Sequence, residues 1–164
     1  IVHADKIAGI GINAKLNEFS AAMGLCILDD IENILQQRAE IAHRYTTRLN
    51  DYVDLQKAEN DSQLNNSYYP IALSDEQQLL RLRSALNTNG INPRRYFYPS
   101  LDTLEYLQPQ AAQTASRSLS ERVLCLPIYP GLLPEDQERV INTVIAECAT
   151  TRMPYRVPSL AQVI

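Results

Sequence analysis

The region from Asp29 to Tyr52 most constrains the fold, because its apolar residues recur at the spacing of one helix face. The residues that lie three or four positions apart are Ile31, Ile34, Leu35, Ile41, Ala42, Tyr45 and Leu49. Such a stripe predicts an amphipathic helix whose apolar face must be covered by other elements. We expect the charged side chains of the opposite face to be solvated, namely Arg38, Glu40, Arg44 and Arg48.

Segments with helical and strand patterns alternate after this helix. Strand-like runs occupy 67–73, 91–99 and 122–127, and helical patterns occupy 74–90, 101–107, 116–121 and 134–148. This order predicts an α+β domain with a small mixed or antiparallel sheet covered by helices. We expect residues 1–15 to be a linker, residues 16–148 to form the domain, and residues 149–164 to be an irregular tail.

Four local signals predict where these elements begin and end. Pro70 indicates an edge strand or a bulge, because proline cannot donate to a sheet ladder. Ser74 and Gln77 have the spacing of a capping box at a helix start. Gly90 predicts a left-handed helix end, and Pro134 suits the first position of the last helix.

The charge and cysteine content of this 164-residue chain narrow its possible partners. A net charge of −4 and a pI near 5.2 argue against nucleic acid or an anionic membrane. No apolar run approaches the roughly 20 residues of a membrane helix, and the first six residues do not resemble a signal peptide. Cys26, Cys125 and Cys148 lack metal-ligand spacing, which predicts buried, reduced thiols in a cytosolic protein. The first residue is not Met, which fits a piece of a longer protein.

The segment Gly11–Gly24 places two polar residues, Asn13 and Lys15, ahead of a short helix rich in small residues. It predicts a helix over 16–24 that packs tightly against another element, with polar groups held at its amino-terminal end. The chain contains no glycine-rich phosphate loop, no zinc-protease helix motif and no hydrolase nucleophile motif. Residue patterns alone therefore predict an α+β domain and indicate no particular function.

Four segments of the chain, in this order, resemble those of a known family: Gly11–Gly24; Leu28–Tyr45; Gly90–Pro99; and Ser118–Pro130. Together they resemble the PLP-dependent nucleotide-sugar aminotransferases of the DegT/StrS family, from Gly11 to about Ala146. The resemblance implies the fold-type I architecture, in which a large domain binds pyridoxal 5'-phosphate and supplies a Schiff-base lysine. The chain would then be the smaller carboxyl-terminal domain, with 1–15 the remaining linker to the large domain.

The resemblance also implies a reaction and an assembly. Family members move an amino group, usually from glutamate, onto a keto group of a nucleotide-linked sugar, in deoxyamino-sugar or polysaccharide biosynthesis in a bacterial cytoplasm. Two subunits of a homodimer share each active site. The sequence of residues 94–99 resembles that of the subgroup acting on dTDP-linked amino-deoxy sugars. Lys6, Lys15 and Lys57 do not match the sequence around the family's Schiff-base lysine, so we expect this chain to be inactive alone.

The same resemblance suggests which residues bind ligands. Asn13 matches an Asn that contacts the neighbouring subunit's cofactor phosphate, although it would also suit a helix cap. Lys15 matches a position that is usually Arg, where it would pair with phosphate or substrate or be a solvated charge. Tyr96 and Tyr98 match the loop that faces the substrate, and their alternative is a pair of aromatics on a strand. Arg94 and Arg95 would meet a diphosphate or be exposed strand charges. Many relatives have a His near Asp102, so its absence leaves the sugar specificity open.

Two other functions fit the residues. The apolar stripe of the long helix would serve a non-enzymatic oligomerisation or binding module without any cofactor. A PLP-dependent sugar dehydratase, in which a His replaces the catalytic lysine, would have a similar carboxyl-terminal part.

Overall fold

The computed structural model of the chain describes residues 15–57, 64–104 and 114–149. The chain divides into two units. The first unit ends at Asn33, and the second begins at Ile34. Helix α1 (Glu18–Asp29) lies in the first unit, and helix α2 (Ile31–Leu49) begins there and continues into the second. The predicted linker and tail lie almost wholly outside the described residues, so both stay predictions.

Helix α1 is apolar around its whole circumference, yet it has no buried residue. Asn17 caps it by accepting a 2.8 Å hydrogen bond from the Ser20 backbone N–H. The helix runs five residues beyond the predicted end at 24. Its exposed large side chains are Phe19, Met23, Leu25, Ile27 and Leu28. The prediction that Cys26 is buried is therefore wrong: its side chain is exposed on this helix.

Helix α2 buries the carboxyl-terminal half of the predicted apolar face. Ile41, Ala42, Tyr45 and Leu49 are all buried in the second unit, while Leu35 is exposed. Two arginines of the predicted solvated face remain 41% exposed, but they also form ion pairs that the sequence did not predict. Arg44 and Arg48 each approach Glu138 at 2.9 Å, and Glu138 lies on helix α5 (Pro134–Cys148). These ion pairs join α2 to α5 at the edge of the core.

Within the described residues, the sheet has three antiparallel strands in the order β1 (Asp54–Leu55), β2 (Tyr69–Ala72) and β3 (Val123–Leu126). Ile71 pairs with Leu124, and both are fully buried. Their face of the sheet packs on α2, α5 and helix α3 (Glu76–Thr88). A further helix, α4 (Thr114–Arg122), leads directly into β3. The predicted α+β class with an antiparallel sheet is confirmed.

Two strand predictions are wrong, and both concern segments that contain proline. Pro70 lies on the central strand, not at an edge, and its pairing with β3 is regular, without a bulge. The β1 ladder ends at Ile71, one residue short of Pro70, so its missing N–H interrupts no pairing on that side. The predicted strand over 91–99 is reduced to one bridge, in which Arg94 and Cys125 exchange two backbone hydrogen bonds. Pro93 and Pro99 cannot donate to a longer ladder.

The ends of α3 explain how the chain turns before and after this helix. Asp75, not Ser74, is the cap, and its carboxylate accepts a 2.7 Å hydrogen bond from the Gln78 N–H. A carboxylate is favoured there by the helix dipole. The predicted left-handed end is confirmed at Gly90, whose φ is 75°. The Gly90 and Ile91 N–H groups donate to the Asn87 and Leu86 carbonyls, each at 3.0 Å.

The interior of the second unit is apolar, with few buried polar groups. The Tyr45 hydroxyl donates to the Pro127 carbonyl at 3.0 Å, and its ring packs 5.0 Å from that of Tyr69. Burial raises the pKa of the Cys125 thiol and raises that of Cys148 to about 11. Within the described ranges, no helix combines the length and the apolar character that a bilayer crossing requires.

Replacing Asp75 with alanine is expected to lower the free energy of unfolding by about 1 kcal/mol at neutral pH, because α3 loses its cap. The Gln78 N–H bond lowers the pKa of Asp75 below its ordinary 3.8. The charge therefore stabilises the fold above that value, and the stabilisation is lost as the pH falls through the lowered pKa. Urea unfolding at pH 7 and pH 3 should show the difference between the two proteins shrinking in acid. Asp75→Asn keeps an oxygen that can accept from the Gln78 N–H, so it should lose less unfolding free energy at pH 7 than Asp75→Ala. An equal loss in the two variants would contradict the role of Asp75 as the helix cap.

Candidate functional site

Four aromatic side chains form one exposed group, which we call the aromatic patch: Tyr68, Tyr96, Phe97 and Tyr98. The Tyr68 and Tyr96 rings meet edge to face with centroids 5.4 Å apart, and Phe97 lies 5.1 Å from Tyr96. Phe97 is 73% exposed and Tyr98 is 51% exposed. Tyr68 directly precedes β2, whereas the other three follow the Arg94 bridge to β3. The sheet therefore brings the two segments together.

Arg95 lies beneath one member of the aromatic patch. Its guanidinium carbon is 3.5 Å from the centroid of the Tyr98 ring. One of its nitrogens contacts Glu76 at 2.6 Å and also donates to the Glu121 carbonyl at 3.1 Å. The side chain is only 11% exposed. Its charge is therefore compensated by a carboxylate at the start of α3.

A second set of polar contacts fixes the loop beyond the patch. Asp102, whose side chain is 6% exposed, accepts from Arg117 at 2.7 Å and from the Ser100 hydroxyl at 2.6 Å. Ser100 also contacts the Ser116 hydroxyl at 2.8 Å. Both outer partners lie on α4. The predicted helix over 101–107 is a 3₁₀ turn, Leu101–Thr103, as far as the described residues extend.

The structure brings together three of the five predicted site residues. Tyr96, Tyr98 and Arg95 occupy one loop, and neither tyrosine is a core-facing residue of a strand. Asn13 lies outside the described residues. Lys15 is exposed and belongs to the first unit, whereas the other three residues belong to the second. All five ligand-binding roles stay predictions.

Two residues of this site, Tyr68 and Glu76, are not predicted from the sequence. The sequence predicts only that Tyr68 lies on a strand and Glu76 in the first turn of a helix, and not that either contacts the loop at 95–98. Tyr68 is 28 positions from Tyr96, and Glu76 is 19 positions from Arg95. Only the pairing of β2 with β3 brings these partners close, so no local pattern signalled them.

The described residues also line a cavity of about 760 Å³ on another part of the second unit. Its walls come from β1, β2 and α4, and most of them are apolar. Arg122 and Asp54 lie at its rim, 3.8 Å apart, and Arg122 also donates to the Leu73 carbonyl at 3.1 Å. Its charged groups therefore already face protein partners.

The chain is similar to aminotransferases both in sequence and in structure. A dTDP-4-amino-4,6-dideoxy-D-glucose transaminase of Shigella dysenteriae is 31% identical over 142 residues, 82% of this chain and 39% of the relative. An aminotransferase structure from Brucella abortus superposes with a TM-score of 0.76 at 27% identity, covering 89% of this chain and 39% of that one. DesI, solved in the presence of its TDP-sugar product, gives 0.75 at 28%, covering 86% and 38%.

The chain spans about two fifths of the length of the curated relatives that it matches. The sequence model of the DegT/DnrJ/EryC1/StrS aminotransferase family matches residues 2–145. That match includes the aromatic patch, Arg95 and every described helix and strand except the end of α5. The chain therefore belongs to the DegT/DnrJ/EryC1/StrS aminotransferase family.

Proposed function

We propose that the chain is the carboxyl-terminal part of a PLP-dependent aminotransferase that transfers an amino group from glutamate to a keto group of a nucleotide-linked sugar. The observation that carries the proposal is the family match over 2–145 in a chain only two fifths as long as its relatives. We place the enzyme in the bacterial cytoplasm, in deoxyamino-sugar or polysaccharide biosynthesis.

The aromatic patch supports a substrate with a flat or hydroxyl-rich surface. Exposed phenol rings stack on a nucleobase or on the apolar face of a sugar, and their hydroxyls bond to ring oxygens. Arg94, next to the patch, is exposed, and no described side chain pairs with its guanidinium. A planar cation in that place suits a diphosphate. Two relatives at 31% identity are named for a dTDP-linked sugar and two at 28% and 26% for a GDP-linked sugar, and the higher identity favours a thymidine nucleotide.

The described residues fit only part of a pyridoxal phosphate site. Lys15 offers an ammonium group just before the capped start of α1, where a phosphate is favoured by both the charge and the helix dipole. Lys57 is the other described lysine, and neither Lys15 nor Lys57 matches the sequence around the family's Schiff-base lysine. When bound, the cofactor supplies an electron sink. We infer that this chain contributes phosphate contacts through Asn13 and Lys15, and that the covalent lysine lies elsewhere.

Helix α1 supports a larger assembly. A helix that is apolar all round is stable in water only when other elements enclose it. Phe19 is 87% exposed and Met23 is 69% exposed in this chain. We propose that the remainder of a longer protein and a second subunit enclose α1, as a homodimer with shared active sites requires.

The test begins with the coding sequence in frame ahead of residue 1. The longer protein should bind pyridoxal phosphate with the absorbance of a protein-bound imine. It should also move ¹⁵N from glutamate to a dTDP-linked 4-keto sugar, as followed by mass spectrometry. The 164-residue chain alone should do neither. Turnover by the chain alone would overturn the fragment proposal, and loss of water from the sugar without amino transfer would indicate a dehydratase.

The exposed α1 also favours a second candidate, an oligomerisation module without cofactor chemistry. That candidate expects no lysine-bearing segment ahead of residue 1 and a stable oligomer of the chain itself. Light scattering of the purified chain, together with the upstream sequence, separates the two functions.

A further inference from the structure

We propose that Arg95 is a positioning residue, which holds the Tyr98 ring in place for the substrate and does not itself bind the diphosphate. The inference deepens the proposed function and rests on it for the identity of the ligand. It gives Glu76 a role as the anchor of Arg95. The two neighbouring arginines thereby take different tasks, with Arg94 left to meet the ligand.

The first step is that Arg95 is immobilised from two sides. Glu76, the first residue of α3, holds one guanidinium nitrogen at 2.6 Å, and the Glu121 carbonyl near the end of α4 accepts from the same nitrogen at 3.1 Å. With 11% of its side chain exposed, Arg95 has little surface left for a ligand. A bidentate contact with phosphate would require breaking the ion pair with Glu76.

The second step is that Arg95 supports Tyr98 through the ring face. The guanidinium carbon lies 3.5 Å from the ring centroid, well within the distance at which a cation is attracted to an aromatic face. Arg95 Nε is buried and has no hydrogen-bond partner among the described residues. The ring and the Glu76 carboxylate are therefore what compensate the buried charge. Tyr98 remains 51% exposed, so half of its surface is available to a ligand.

The third step is that the loop is fixed at its other end as well. Asp102 and Ser100 bind Arg117 and Ser116 of α4. Tyr98 lies between these anchors, and its ring stacks on Arg95, whereas the neighbouring Phe97 ring packs on Tyr96. Stacking on Arg95 thus holds the Tyr98 ring within a loop that is fixed at both ends. A pre-ordered ring binds a ligand without the entropy cost of being fixed on binding.

A reporter variant of the 164-residue chain tests the positioning directly. The chain contains no tryptophan, so Tyr98→Trp introduces a single tryptophan over Arg95, whose fluorescence can be excited selectively over that of the tyrosines. In that background, Glu76→Gln and Arg95→Met should each raise the acrylamide quenching constant about twofold or more, because the ring is released from the guanidinium. Arg94→Met is the matched control and should leave the constant unchanged. No change with Arg95→Met, or an equal change with Arg94→Met, overturns the proposal.

Two further measurements keep the result interpretable. Circular dichroism must show native helix content in each variant, and Glu76→Gln, which leaves the arginine in place, serves if Arg95→Met unfolds. The fluorescence readout needs neither cofactor nor substrate. It therefore decides the positioning role even if the longer protein proves to have no aminotransferase activity.

In an active longer protein, a double-mutant cycle separates positioning from ligand binding. Arg95→Met should raise KM about two- to fivefold with little change in kcat. In a Tyr98→Ala background the same change should have no further effect, because the ring that Arg95 holds is gone. A full additive loss in that background would make Arg95 a direct ligand of the substrate and overturn the proposal.

Discussion

Replacing Leu79 with alanine is expected to lower the free energy of unfolding by about 3 kcal/mol, because the change leaves a cavity in the core. Leu79 lies on α3 and is fully buried among residues of α2, α5 and the sheet. Domains of this size are stable by only about 5–15 kcal/mol, so the variant should lose a large part of its margin. Urea unfolding followed by circular dichroism measures the loss as a lower midpoint with an unchanged slope.

Leu80→Ala is the matched control for this prediction. The two leucines are adjacent on α3, but Leu80 is 44% exposed whereas Leu79 is 0% exposed. Leu80→Ala should therefore cost less than about 1 kcal/mol, since most of the removed side chain already faces water. Equal losses in the two variants would contradict the described orientation of α3.

Much of the second unit could be predicted from short-range patterns. The apolar spacing of Ile41, Tyr45 and Leu49 predicted the buried face of α2, and Pro134 and Gly90 predicted two helix ends. In each case the cause is local: helix periodicity, a fixed φ, or a left-handed backbone that glycine adopts without a steric penalty. The residues that carry these signals lie within a few turns of one another.

The predictions that failed depend on distant partners. Pro70 signals an edge strand in isolation, and only the short length of β1 lets it lie on the central strand. The ion pairs of Arg44 and Arg48 were not predicted, because Glu138 is about 90 residues away in sequence. The Tyr98–Arg95–Glu76 arrangement was missed for the same reason. Charge pairing and stacking are tertiary contacts, and helix or strand periodicity has no signal for them.

Cys26 is expected to mark whether α1 is enclosed in a longer protein, because it lies on the exposed apolar helix. In the 164-residue chain, iodoacetamide at pH 8 should modify Cys26 on the order of 100-fold faster than Cys125 or Cys148. Those two thiols are buried, and burial raises the pKa of Cys148 to about 11, so almost none of it is thiolate at pH 8. Peptide mass spectrometry over a time course reads each site separately.

In a protein that carries the segment matching the rest of its relatives, the modification of Cys26 should slow on the order of 100-fold, because reaction then requires local opening of a packed helix. Cys125 and Cys148 should react equally slowly in both proteins, which makes them internal controls. Unchanged fast modification of Cys26 in the longer protein would show that α1 stays exposed there, and the proposed enclosure of this helix would be wrong. Fast modification that slows only as the concentration of the 164-residue chain rises would instead assign the covering surface to a second copy.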